Sequence, residues 1–332
     1  MLKYEVFDLS ITTLTPLHIG TGRELLQDYD YAVFGKKTWV INQAALLDAK
    51  SPNLDPAWAA RLAVTPPADL LEDADFAPGQ PWVRYVIGGT PRSLGEGIQV
   101  LEQFKNVFDQ PYLPGSSLKG ALRTLVGWQA WKDMEMSPDA SRLKDNPKFA
   151  ASNLEAEIFG RNPNNDSLRA LQVSDSEPVG TEHLMLLNAR VLNPGGKLSA
   201  PVVMEAVRPD VTFCASLKLD SALFSGWARR YGLQLNHESL LTKLPEIASA
   251  HAREQIEQEL DWLGPVRGTG NLRSAYETFR KATLEPGQFL LRLGWGTGWD
   301  DKTFGDNLKD DDDFMEYIIH HYRMSKGKRE AG

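Results

Sequence analysis

The densest concentration of chemically useful residues is the stretch Tyr112-Leu113-Pro114-Gly115-Ser116-Ser117-Leu118-Lys119-Gly120-Ala121-Leu122-Arg123. Pro114 and Gly115 stop a preceding strand and allow a tight turn, and Ser116 or Ser117 is placed to cap the helix that follows. Leu118, Leu122 and Leu125 fall on one face of that helix and are expected to pack inward. Lys119 and Arg123, four apart, share another face. A helix N-terminus carries free N–H groups and the positive end of the dipole. With two hydroxyls, a lysine and an arginine beside it, and Gly120 leaving room for close approach, the arrangement suits a phosphate group. The plainer alternative is an ordinary capped surface helix.

A second concentration is Gly264-Pro265-Val266-Arg267-Gly268-Thr269-Gly270-Asn271-Leu272-Arg273. From Gly264 to Leu284 the one acid is Glu277, against Arg267, Arg273, Arg280 and Lys281. Backbone amides of a glycine loop at Gly268, with Asn271 and arginine side chains, also suit phosphates, although a helix-linking loop with solvated charges would look the same. In Gly294-Trp295-Gly296-Thr297-Gly298-Trp299 the glycines, Gly296 among them, let a backbone approach while an aromatic meets a flat ring; core tryptophans are the equal alternative.

His18 is the obvious acid–base candidate, but such chemistry wants a second group within reach, and none lies close in sequence, so a structural or binding contact is the expected role. The runs Asp300-Asp301 and Asp310-Asp311-Asp312-Asp313 invite a metal. Consecutive acids do not converge on one point, so a solvated acidic face is expected and no metal or cofactor. The single cysteine, Cys214, excludes an internal disulfide and suits a small buried hydrophobe. The spaced glycines and lysine of a P-loop, His-Glu-x-x-His and Gly-x-Ser-x-Gly do not occur.

The elements that must position these residues can be sketched. Tyr4 to Leu14 alternates like a strand and ends in the punctuated turn Thr15-Pro16-Leu17-His18-Ile19-Gly20-Thr21-Gly22. Tyr29–Val33 and Thr38–Ile41 read as a hairpin, after which Asn42 caps a short helix. Residues 51–97, rich in Pro, Gly and Asp, read as a surface insertion with helical pieces near Trp58 to Ala63. Helices are expected from Ser116 to about Trp131, Ala150 to Phe159, Glu246 to Leu263 and Asp310 to Tyr322, and the last residues read as frayed. Strands are expected at Leu168–Val173, Val211–Leu219 and Phe289–Leu293, with a long hairpin of Leu184–Val191 and Val202–Val207 around Pro194-Gly195-Gly196-Lys197. Strand–helix–strand order in both parts suits two ferredoxin-like halves.

The 332 residues are 42% hydrophobic and 24% charged, ordinary globular values, with a formal charge of −8. Nucleic-acid-binding domains usually carry a basic footprint, so any such site must be a local basic strip on an acidic body. No apolar stretch approaches the ~18 residues of a membrane span and no leader pattern opens the chain; a soluble, cytoplasmic protein is expected.

Three segments carry a family resemblance. Leu14-Thr15-Pro16-Leu17-His18-Ile19-Gly20-Thr21-Gly22 resembles the first-strand signature of the RAMP superfamily of CRISPR proteins. Pro114-Gly115-Ser116-Ser117-Leu118-Lys119-Gly120-Ala121-Leu122-Arg123 resembles that family's Pro-Gly-Ser-Ser-x-Lys-Gly-x-x-Arg element. Leu291-Arg292-Leu293-Gly294-Trp295-Gly296-Thr297-Gly298-Trp299 resembles its late glycine-rich loop. Within the superfamily, Asp28-Tyr29-Asp30-Tyr31 after the His-Ile-Gly turn and Trp39-Val40-Ile41-Asn42 before Leu46-Leu47 are most similar to the fifth-subunit family of type III-A (Csm) effectors. One departure is Asp210, where related chains carry glycine in a Glu-x-x-x-x-Gly pattern, which puts the local turn in doubt. The short basic end, Lys326 to Gly332, is another.

The resemblance implies an α+β fold of two RRM-like (ferredoxin-like) halves with a thumb-like β-hairpin at about 182–205. It places a first domain over residues 1–220, carrying the 51–97 insertion, and a smaller second part over 221–332. It implies a non-catalytic subunit that caps the 3′ end of guide RNA (crRNA) in a ribonucleoprotein and is needed for crRNA maturation and antiviral defence. The implied partners are crRNA, the repeating backbone subunit, the small subunit and, for maturation, host nucleases. The RNA contacts expected are His18, Gly20, Gly115, Ser116, Ser117, Lys119, Arg123 and Gly296 within the resembling segments, and Arg267, Gly268, Asn271 and Arg273 in the basic loop. The rival readings are an endoribonuclease that uses His18 on precursor crRNA and a protein-only scaffold.

Overall fold

The computed structural model describes residues 4–50, 60, 64–95, 98–193, 195–299 and 304–324. The expected helical pieces near Trp58 to Ala63, apart from Ala60, and the chain end beyond Met324 lie outside the described residues. The fold is mixed α and β. Its strands are β1 (Tyr4–Thr12), β2 (Gly20–Leu26), β3 (Tyr31–Phe34), β4 (Lys37–Ile41), β5 (Val83–Gly88), β6 (Gln99–Gln103), β7 (Leu171–Val173), β8 (Leu184–Ala189), β9 (Val202–Val207) and β10 (Thr212–Asp220). Its helices are α1 (Gln43–Lys50), α2 (Gly115–Asp133), α3 (Ser152–Phe159), α4 (Gly226–Arg230), α5 (Glu238–Thr242), α6 (Leu244–Leu263), α7 (Gly270–Lys281), α8 (Gly305–Leu308) and α9 (Asp312–His321).

Contacts divide the chain into two interleaved units, Met1–Asp8 with Pro114–Ser174 and Ser216–Gly332, and Leu9–Leu113 with Asp175–Ala215. Two of the divisions fall within β1 and β10. A three-stranded sheet runs β1-β10-β7, with β10 antiparallel to β7.

The Leu9–Leu113 unit is a seven-stranded sheet in the order β2-β6-β9-β8-β5-β4-β3. Neighbours are antiparallel except β5 with β8 and β6 with β9. The expected hairpins exist: Gly35 and Lys36, both at positive φ, turn β3 into β4, and β8 pairs along its length with β9. Asn42 Oδ1 accepts the Ala45 N–H at 3.2 Å and starts α1. One sheet face buries Leu25, Tyr31, Val40, Tyr85, Ile87, Val100, Leu184 and Val203, and a second cluster gathers Ile41, Leu46, Ala68 and Trp82. The region read as a surface insertion therefore contributes a strand: β5 lies between β4 and β8, and the Pro and Gly density around it belongs to its flanking loops.

In the other unit α2 is the central element. Leu118, Leu122, Leu125, Val126, Trp128 and Trp131 are buried on it, and it packs on β7, α3, α5, α6 and α8. Phe289–Leu293, expected as a strand, is irregular; an apolar run makes a strand only where a partner strand accepts its hydrogen bonds.

Candidate nucleic-acid interface

The α2 N-terminus is fixed by its backbone. Pro114 is the N-cap and Gly115 the first helical residue, so Ser116 and Ser117 lie in the first turn rather than at the cap, and no side chain caps this end. The N–H groups of Ser117 and Leu118 turn back to Pro114 O at 2.9 and 3.2 Å. A side chain at 115 would set its Cβ 2.4 Å from Val173 O and 2.7 Å from Ser174 O, which is why glycine is needed before the helix. Ser116 and Gly120 are exposed, while Ser117, Lys119 and Arg123 are half-buried.

The two cations near this end of the helix, Lys119 and Arg123, are engaged by the chain itself. Lys119 Nζ donates to Leu171 O at 2.7 Å. Burial holds its pKa below that of a free lysine, with Arg123 adding to the effect and Asp166 opposing it. Arg123 Nη1 donates to Asp166 Oδ2 at 2.7 Å, its Nη2 lies 3.6 Å from Glu155 Oε2, and its guanidinium sits 3.7 Å over the Phe159 ring. The two positive charges are thus matched locally by two negative ones. A phosphate here would have to exchange places with Asp166 or Glu155.

The second predicted concentration is organised differently. Thr269 is buried and donates its hydroxyl to Val266 O at 2.8 Å and Leu263 O at 3.2 Å, which pins the loop between α6 and α7. Gly268 has φ +79°. Arg267, Gly268, Asn271 and Arg273 are all exposed, and neither arginine has an ion-pair partner among the described residues. Arg280 and Lys281, by contrast, pair with Glu277. Gly296, at φ +88°, lies in an open turn beside the exposed Trp295. The Arg292 before that turn reaches Glu259 on α6 at 2.9 Å and the Tyr276 hydroxyl on α7 at 3.1 Å.

His18 and Gly20 belong to the seven-stranded unit. His18 is 4% exposed, and its Nδ1 lies 2.6 Å from Glu205 O. With Nδ1 donating to that carbonyl, Nε2 carries the lone pair. A Cβ at Gly20 would come 2.9 Å from this Nε2. Burial lowers the His18 pKa, the Glu205 carbonyl and carboxylate pull it back up, and Lys105 adds to the lowering.

Behind His18 is a network that reading the sequence missed. The fully buried Glu205 carboxylate accepts from the Tyr85 hydroxyl at 2.7 Å, from Gln103 N–H at 2.9 Å and from Lys105 Nζ at 2.5 Å. Burial raises the Tyr85 phenol far above its ordinary range, and Glu205 raises it further. The available signal was one charged residue inside Val202-Val203-Met204-Glu205-Ala206-Val207, since such a residue in a buried strand must be paired. Asp210, five residues on, takes φ +62° and donates its N–H to Thr13 O at 2.7 Å. The turn for which the resemblance leads one to expect glycine is made here by an aspartate, a residue that tolerates the left-handed region.

Elsewhere, Asp311 Oδ1 accepts the Phe314 N–H at 2.8 Å and caps α9, giving part of the acidic run a local role. Cys214 is exposed rather than buried. Among the described residues no group of three or more His, Cys, Asp or Glu side chains is placed to hold a metal ion, and no helix is long and apolar enough to cross a membrane.

A family model for the RAMP superfamily matches residues 10–301. Two curated relatives, each named CRISPR system Cms protein Csm5, are similar in part. That of Streptococcus thermophilus is 28% identical over 205 residues, 55% of each chain. That of Methanocaldococcus jannaschii is 24% identical over 210 residues, 61% of this chain and 49% of the relative. The aligned chain thus spans about half the length of the curated relatives it matches. Among solved structures, a chain of a Csm–crRNA–target RNA ternary complex of a type III-A CRISPR–Cas system superposes with a TM-score of 0.75 at 24% identity, covering 97% of this chain and 93% of that one. The crystal structure of T. onnurineus Csm5 gives a TM-score of 0.67 at 22% identity, covering 96% and 95%.

Proposed function

Because the chain belongs to the RAMP superfamily, matched over residues 10–301, we propose that it is a non-catalytic guide-RNA-binding subunit of a type III-A (Csm) ribonucleoprotein. In this reading it caps the 3′ end of the crRNA and serves crRNA maturation and antiviral defence. Its neighbours are the repeating backbone subunit and the small subunit, and host nucleases do the trimming. The β8–β9 hairpin is the thumb of a chain built from two RRM-like halves. The likeness to the Csm5 proteins supports the choice of subunit.

The observation that carries the RNA part is the pair of exposed arginines, Arg267 and Arg273, without ion-pair partners among the described residues around Gly268 on an acidic chain. Guides vary in sequence, so contacts to phosphate and sugar are the appropriate chemistry. Ser116, Ser117 and the α2 turn add a second contact, in which Lys119 and Arg123 exchange an internal partner for phosphate. The non-catalytic part is supported by His18, whose ring is buried and pinned through Nδ1, far from the solvent access that attack on a 2′-hydroxyl requires.

The test is binding and integrity of labelled guide RNA with purified protein across a salt series. Salt-sensitive binding of intact RNA is expected, weakened in Arg267→Ala/Arg273→Ala and in Lys119→Ala/Arg123→Ala. Discrete cleavage that disappears in His18→Ala would move the protein to the nucleases. No binding at any salt would leave the scaffold reading.

A further inference from the structure

The short helix α4 carries a surface that none of the three motifs includes. Trp227 is 64% exposed and Tyr231 76% exposed, and their rings meet at a centroid distance of 4.8 Å and an angle of 47°. Arg229 and Arg230 stand between them in sequence, both exposed and without an ion-pair partner among the described residues. From Ser221 to His237 the sequence has no carboxylate at all.

The segment under this surface is hydrogen-bonded at both ends of α4. Ser225 caps α4 by accepting the Ala228 N–H, and its own hydroxyl donates to Ala222 O at 2.6 Å. At the other end Tyr231 and Leu233 N–H both reach Ala228 O, at 3.0 and 3.1 Å, and Gly232 closes the turn at φ +83°. Phe224, Ala228 and Leu235 anchor the segment from below. The segment also joins the α2 site: Gln234 N–H points to Asn165 Oδ1 at 3.4 Å, and Asn165 precedes the Asp166 that pairs with Arg123.

We propose that Trp227, Arg229, Arg230 and Tyr231 form a stacking platform for single-stranded RNA. The bases lie on the two aromatic faces and the phosphates on the two guanidinium groups. The proposal rests on the guide-RNA reading above and adds to it a base-contacting surface. Large exposed aromatics on a held backbone offer flat faces that accept any base, which a chain handling variable guides requires. The absence of carboxylates from Ser221 to His237, beside two exposed arginines, matches this segment to a polyanion. Its hydrogen-bonded link to the arm holding Arg123 makes it continuous with a site already expected to meet phosphate.

The test uses the full-length protein and two labelled strands of about 12 nucleotides, within the span of one such platform: oligouridine and an abasic ribose-phosphate strand. Trp227→Leu/Tyr231→Leu keeps apolar bulk but removes the aromatic faces, and is expected to raise the Kd for oligouridine about tenfold while leaving the abasic strand unchanged. Trp227→Phe/Tyr231→Phe should bind like wild type. Arg229→Gln/Arg230→Gln should weaken both strands and lower the salt slope by about 1.4, at about 0.7 per phosphate contact. If Trp227→Leu/Tyr231→Leu binds oligouridine as wild type does while Arg267→Ala/Arg273→Ala is weakened, the platform is wrong and the guide-RNA reading stands. If wild type binds neither strand, both fall. Unchanged RNA affinity with lost association to partner subunits would assign the face to a protein contact and overturn the proposal.

Discussion

Glu205 and Lys105 are both buried, with side-chain exposures of 0% and 3%, so each charge depends on the other. Glu205→Gln leaves the buried lysine with Glu102, 3.7 Å away, as its remaining counter-charge and should cost about 3 kcal/mol of stability, read as a fall in the urea midpoint. Lys105→Met combined with Glu205→Leu should not recover that loss, because the buried Tyr85 hydroxyl and Gln103 N–H would lose their acceptor. His18 makes a pH prediction. Its folded pKa lies below the ordinary value of about 6.5, so the unfolded chain takes up the proton first as pH falls. The His18 contribution is therefore complete above about 6.5 and is lost progressively below it. His18→Gln should flatten part of the acid-side decline in denaturant midpoint between pH 8 and pH 5; the part that persists includes His237, which burial shifts the same way. Asp210→Gly, which relieves a left-handed aspartate, should gain up to about 1 kcal/mol. The sequence exposed His18, Lys119 and Arg123 as residues of interest but not their partners. Glu205, Leu171 and Asp166 are 187, 52 and 43 positions away, and no local pattern encodes such pairings.

Elements with local signals were legible. The β3–β4 hairpin, α1 after Asn42, the β8–β9 hairpin, α3 and α6 stand close to where turn residues and periodicity put them. β5 was not, since it sits in Pro- and Gly-rich surroundings and its identity as a strand comes from β4 and β8 beside it. Phe289–Leu293 failed in the opposite way, with a strand-like pattern but no strand partner. The α2 start was legible in kind, a Gly-led helix N-terminus, while the role of Gly115 was set by Val173 and Ser174 across the unit. Gly115→Ala should therefore cost about 3 kcal/mol through backbone overlap, seen as a lowered melting temperature. Asp311→Ala should cost about 1 kcal/mol by uncapping α9.

At the scale of the molecule, net charge and local charge point in opposite directions. Among the described residues of a body of formal charge −8, Arg267 and Arg273 and the neighbouring pair Arg229 and Arg230 are exposed arginines without an ion pair, as are the scattered Arg92, Arg161, Arg208, Arg253 and Arg323. RNA binding should consequently be short in reach and steep in salt. Loss of Arg267 and Arg273 should reduce the slope of log K against log salt by about 1.4, measured by anisotropy from 50 to 300 mM salt. The bulk composition argued against a nucleic-acid partner because it averages over faces that the fold keeps apart.

The interleaving of the two units sets an order of events on the ribosome. All seven strands of the β2-to-β3 sheet have been made once Val207 emerges, so that sheet can close while the rest of the chain is still being translated. Helix α2 is made early, but its packing partner α6 spans Leu244–Leu263. β7 and α3 can cover part of α2 earlier, but the side of α2 that meets α6 waits uncovered until that segment is made. Non-local closure of this kind is slow, and an exposed apolar helix face in a nascent chain invites aggregation. Chaperone demand, and the yield of soluble protein, should follow the delay between α2 and α6 more closely than the stability of the finished fold.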